Sequence, residues 1–147
     1  MTSPESLTTL RRFALAYALV ALVFLPLDAL WLTTMAGRLY QPALGHLLAA
    51  KPEPLAIVLF YGLYLGGVVA FAVRPALAFE RLRAALRRGW FFGLVAYGTY
   101  DLTNQATLDH WPWFLTGIDL IWGSCLTALA SVSARWVLLL TQDQQRA

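Results

Sequence analysis

Three aspartates, Asp28, Asp101 and Asp119, stand in stretches that are otherwise apolar. Around them the chain gathers Trp31, Trp122, Tyr97 and its only asparagine, Asn104, with Thr103, Thr107 and Thr116 as supporting hydroxyls. No lysine or arginine falls inside the same stretches, so at least one of the three carboxyls is expected to keep its proton, or the cluster to hold a cation. Each costs about 2.5–3.5 kcal/mol to insert, and the three together on the order of 9 kcal/mol. A hydrogen bond between membrane helices returns only about a kilocalorie. The cluster therefore reads as a site for protons or for a small polar or cationic ligand, with Trp31 and Trp122 offering cation–π faces. The spacing Asp28-x-x-Trp31 returns as Asp119-x-x-Trp122. An alternative is an enzyme acting on a lipid or other apolar substrate, with an aspartate as general acid or base. A third reading is a non-catalytic helper of a membrane partner. Metal catalysis is disfavoured: His46, His110 and Cys125 share no ligand spacing with one another or with a carboxylate. No Ser–His pairing and no phosphate-binding glycine loop is present either, so no cofactor is expected and the pattern favours binding over catalysis.

The elements that hold these residues are read from composition and block structure. Of 147 residues, 59% are hydrophobic and 13% charged, against about 25% charged in soluble domains. The apolar residues fall into four runs, about 13–35, 55–73, 89–108 and 114–134, each near the roughly 20 residues that cross a bilayer as a helix. The expected fold is thus all-α: one polytopic domain of four transmembrane helices filling the chain. Arg11, Arg12, Arg74, Arg81, Arg83, Arg87, Arg88, Arg135 and Arg146 fall on one side of these runs, and Arg38 and Lys51 on the other. That asymmetry places both termini and the middle loop in the cytoplasm. It also accounts for the net charge of +3 without a nucleic-acid partner. By rise per residue, Asp28 lies roughly 24 Å and Asp101 roughly 18 Å from the inner edge, and Asp119 roughly 8 Å below the outer one. All three share the outer half of the bundle.

Finer expectations follow along the chain. Tyr17, Ala21, Phe24, Asp28, Trp31 and Met35 share one face of the first helix, which Pro26 interrupts. A short interfacial helix is expected near Pro42, with Tyr40 and Leu44 on its apolar side. Gly62 and Gly66 on the second run, and Gly89 and Gly93 on the third, invite close helix approach and a homodimer through glycine faces. The loop 75–88 reads as a basic amphipathic segment, in which Arg81, Arg83, Arg87 and Arg88 attract anionic lipid. Trp111 and Trp113 fall where an aromatic belt belongs, beside a tight turn at 109–112. Thr116, Asp119, Gly123, Thr127, Ala130 and Ala134 form a small or polar stripe on the last helix, and Cys125 reads as a small packing residue there.

The run Ala96-Tyr97-x-Thr99-Tyr100-Asp101-Leu102-Thr103-Asn104, followed by Trp111-Pro112 and Asp119-x-x-Trp122-Gly123, resembles the signature of a small bacterial membrane-protein family catalogued as domain of unknown function 2177. Asp28-x-x-Trp31-Leu32 and Phe60-Tyr61-x-x-Tyr64 extend the resemblance over nearly the whole chain. Gln105 departs from it, standing where an apolar residue is expected. The resemblance implies a four-helix protein of the bacterial inner membrane, and it carries no established activity, substrate or cofactor.

Overall fold

The computed structural model describes residues 4–77 and 82–144. Within them every regular element is helical. α1 (Pro4–Met35) passes through a π-helical turn, Ala36–Tyr40, into the short α2 (Gln41–Leu44). α3 (Pro54–Val68) passes through a second π-helical turn, Val69–Val73, into α4 (Arg74–Ala76). α5 (Leu82–Thr107) and α6 (Trp113–Gln144) form an antiparallel hairpin across a five-residue link. Three stretches are long and apolar enough to cross a membrane: Leu10–Leu44, Pro54–Ala76 and Trp113–Thr141. α5 is as long, at 26 residues, but its second half, YDLTNQAT, lowers its hydropathy below theirs.

The side chains that face outward are apolar: Leu22, Leu63, Phe71 and Ile121 are each more than 60% exposed. A water-soluble protein seldom exposes so extensive an apolar surface. Inside, Val20 and Phe24 of α1 meet Tyr64, Leu65 and Val68 of α3 and Leu126 and Ala130 of α6 in one core. A smaller cluster of Leu44, Trp111 and Leu115 closes the end where the α5–α6 link lies. The aspartates fall between the two.

Several expectations change here. The first helix is helical from Pro4 and runs unbroken through Pro26. No separate interfacial helix starts at Pro42, because the π-helical turn carries the same helix on to Leu44. Gly89 and Gly93 do lie against α6: a Cβ on either would sit within 3 Å of Thr127. Gly62 and Gly66 have nothing within 4 Å of such a Cβ, so that pair brings no helix of this chain close. Trp111 is buried at 6% exposure in the end cluster while Trp113 is 70% exposed, so of the two only Trp113 faces outward as a belt residue would. Cys125 is exposed on the outside of α6. Arg135 is buried, and its Nε donates to the Ala76 carbonyl at 3.3 Å, satisfying a carbonyl at the end of the second span. Arg81 and Phe79 of the basic segment lie outside the described residues.

Candidate functional site

The α5–α6 register decides what faces what. Gly89 lies against Ser131 and Thr127, and Gly93 against Gly123 and Ser124. The Tyr97 ring covers Gly123, where any Cβ would collide with it. Gln105 accepts from Thr116 at 3.2 Å. Each step forward on α5 is thus matched by an equal step back on α6, which sets Asp101 opposite Asp119. Asp101 is wholly buried, and neither of its carboxyl oxygens has a hydrogen-bond partner among the described residues.

Asp28 and Asp119 are better supplied. Tyr61 donates to Asp28 at 2.6 Å, and Trp122 donates to its other oxygen at 3.4 Å. Tyr40 donates to Asp119 at 2.6 Å, and Tyr40 itself accepts from the Trp31 indole at 3.0 Å. Between these two arms Trp31 and Trp122 lie face to face, ring centroids 4.3 Å apart and planes 12° from parallel. Because α1 and α6 face one another, the two Asp-x-x-Trp segments clasp reciprocally. The tryptophan of each serves the aspartate of the other, directly for Asp28 and through Tyr40 for Asp119.

The local reasons are legible. Three residues is nearly one helical turn, so aspartate and tryptophan share a face. Tyr40 needs a different explanation. Nine residues past Trp31 is about two and a half turns of α-helix, which would aim it the opposite way. The wider turn at Ala36–Tyr40 winds more slowly and brings the phenol back toward Trp31 and Asp119. Such turns recur at functional sites.

The remaining expected residues separate. Tyr97 lines the floor, edge-on to Tyr64 at 6.2 Å. Tyr64 in turn bonds Thr127 at 2.6 Å. Asn104 is half-buried one turn beyond Asp101 and joins none of the three carboxyls. Thr103 and Thr107 turn their hydroxyls back to carbonyls of their own helix, at 2.5 and 2.7 Å. They face an open groove on the outside of α5, lined also by Leu94, Gly98, Leu102 and Leu120, away from the aspartates. Thr116 is buried but belongs to the hairpin: it accepts from the Trp111 indole at 3.1 Å and donates to Gln105, whose amide donates to the Trp111 carbonyl at 2.9 Å. Gln105 is thus a clip at the end of the bundle, which accounts for a polar residue there. Tyr40 and Tyr61 are the two site residues that periodicity passes over.

Polar side chains from α1, α5 and α6, joined by Tyr61 from α3, therefore meet inside apolar helices. The model of the family described as a predicted membrane protein, domain of unknown function 2177, matches residues 13–136. The chain belongs to this family. The matched stretch contains every residue of the site, from Asp28 to Trp122. No curated protein and no solved structure matches the chain. Membership makes it a membrane protein of unknown function, so its chemistry rests on the geometry above.

Proposed function

We propose that this protein binds a proton or a small cation between Asp101 and Asp119, inside a bundle of four membrane-crossing helices, and acts in binding or transport. The observation that carries this is Asp101: a wholly buried carboxyl, without a donor, facing a second carboxyl. An ionised carboxylate in such a place is far costlier than the neutral acid, so Asp101 holds a proton or a positive charge from elsewhere. Asp28 and Asp119 each accept a tyrosine hydroxyl, the arrangement that supports an anion. A buried carboxyl without a donor, beside carboxyls that are supplied with donors, forms a site that can trade a proton for a cation.

The fourth crossing is α5. It lies alongside α6 from Gly89 to Gln105, so whatever depth α6 spans, α5 spans too. Toward its end Asp101 faces α6 and Gln105 the hairpin, whereas Thr103 and Thr107 return their hydroxyls to their own helix. Four crossings return both termini to one side. The distribution of arginine assigns that side to the cytoplasm of a bacterial inner membrane. The carboxyls then lie toward the outer face.

The test is proton counting on purified protein in lipid nanodiscs, comparing wild type with Asp28→Asn, Asp101→Asn and Asp119→Asn. Wild type should release one more proton per chain than Asp101→Asn when titrated between about pH 5 and 9. Identical titration of wild type and all three folded variants overturns the reading.

A further inference from the structure

We propose that the cation taken by this site is an organic ammonium ion bearing at least one N–H, held by Asp101 and by the aromatic shell around the three carboxyls. The proposal rests on the cation-binding reading above and names the ligand class for it.

Three observations select that class. First, among the described residues no three His, Cys, Asp or Glu side chains converge closely enough to hold a metal ion. Hard inorganic ions ask for about six or more oxygens at short range, whereas here Asp28, Asp101 and Asp119 are spread over three helices. A charge distributed over a larger body suits that spread. Second, the walls are aromatic: Trp31 and Trp122 stack at 4.3 Å, Tyr40 and Tyr61 stand on the two supplied aspartates, and Tyr97 covers Gly123 beside Trp122. Indole and phenol faces attract alkylammonium groups, which shed water more readily than a compact ion does. Third, among the described residues of the site, Asp101 has two buried acceptor oxygens without a donor. They call for a donor, so a primary or secondary ammonium fits better than a quaternary one.

The exchange is balanced. The Asp101 proton leaves to water as the ammonium N–H⁺ donates to the carboxylate that remains, and the net charge of the site is unchanged. Each of the stacked indoles is pinned at its N–H edge, Trp31 on Tyr40 and Trp122 on Asp28. Separating the rings exposes faces to the ligand without breaking the tyrosine bonds. Leu44, Trp111 and Leu115 pack together at the end of the bundle where the α5–α6 link lies.

The experiment is isothermal titration of the full chain in nanodiscs with benzylammonium, its neutral isostere benzyl alcohol, sodium and magnesium, with a pH dye reporting protons. Benzylammonium should bind saturably and release about one proton per chain, whereas benzyl alcohol, sodium and magnesium should not displace it. Asp101→Asn should weaken binding at least about tenfold and abolish the proton release. Asp101→Glu, which keeps the acid, should restore both in part, separating chemistry from misfolding. Trp122→Leu should weaken binding by about tenfold. Equal competition by benzyl alcohol, displacement by sodium or magnesium, or unchanged binding in Asp101→Asn overturns the assignment. The ligand-free titration separates the two readings. A wild-type proton missing from Asp101→Asn without benzylammonium binding sinks the ammonium assignment alone; absence of that proton sinks the proton site with it.

Discussion

Asp28 and Asp119 owe their tolerance of burial to two tyrosines, and that dependence can be measured. Removing one partner of a buried hydrogen bond costs about 1–3 kcal/mol, so Tyr40→Phe and Tyr61→Phe should each lower the melting temperature of the detergent-solubilised protein, by that order of energy. Tyr17→Phe serves as the control, because Tyr17 reaches the Gly62 carbonyl only at 3.4 Å and in an exposed position. A larger effect at Tyr17 than at Tyr61 would refute the ranking. At this scale the sequence was half transparent. Asp28 with Trp31, and Asp119 with Trp122, follow from helical spacing, since neighbours three apart share a face whatever surrounds them. Asp101 and Asp119 follow from depth arithmetic. Tyr40 could not be found that way, because a π-helical turn changes the phase of everything after it and leaves no mark in composition. Thr103 and Thr107 were drawn into the expected site by depth alone. Depth says nothing of azimuth, and both point out of the bundle.

Helix pairing turns on which glycines are used. Gly93 and Gly123 lie where a Cβ would meet backbone or an aromatic ring, whereas Gly66 has open space around it. Gly93→Ala and Gly123→Ala should each destabilise the protein by about 1–3 kcal/mol, while Gly66→Ala should leave it unchanged or raise it by about 0.5–1 kcal/mol. Thermal denaturation of the three variants checks this directly. The Gln105 clip predicts a local effect instead. Gln105→Leu strips a donor from the Trp111 carbonyl and an acceptor from Thr116, so backbone amides from Trp111 to Thr116 should exchange faster with solvent deuterium, with little change in the remainder of α6. Both small-xxx-small pairs look alike as strings of letters. Only the partner distinguishes them, and the partner of Gly89 and Gly93 was itself visible as the stripe Thr116, Asp119, Gly123, Thr127, Ala130 and Ala134, every residue of which is buried.

For the molecule as a whole the issue is how many times it crosses. Three stretches qualify on their own apolarity, and the proposal of a fourth rests on the packing of α5 along α6. In a Cys125→Ala background, single cysteines at Arg83 and Asp109, which stand at the two ends of α5, should label with an impermeant maleimide from opposite sides of sealed vesicles. Labelling of both from the same side contradicts four crossings. The all-helical class was plain from block hydropathy, because backbone groups in lipid must be satisfied within each segment. The outward residues needed no guess either. What the sequence withheld was the internal closure: nothing in the order of letters says that Trp111 plugs one end, or that Arg135 is buried against the Ala76 carbonyl rather than spread at an interface. Both are long-range contacts, set by how the α5–α6 hairpin docks on the first two spans.

The stacked indoles have an optical consequence. Two tryptophans in face-to-face contact no longer absorb as separate chromophores: their transitions couple and split into a pair of circular-dichroism bands of opposite sign. The other four tryptophans stand apart from this pair, so a couplet lost in both Trp31→Phe and Trp122→Phe belongs to the stack. The native chain therefore carries its own label-free reporter of whether the two rings touch, readable in any membrane mimic clear enough to pass ultraviolet light.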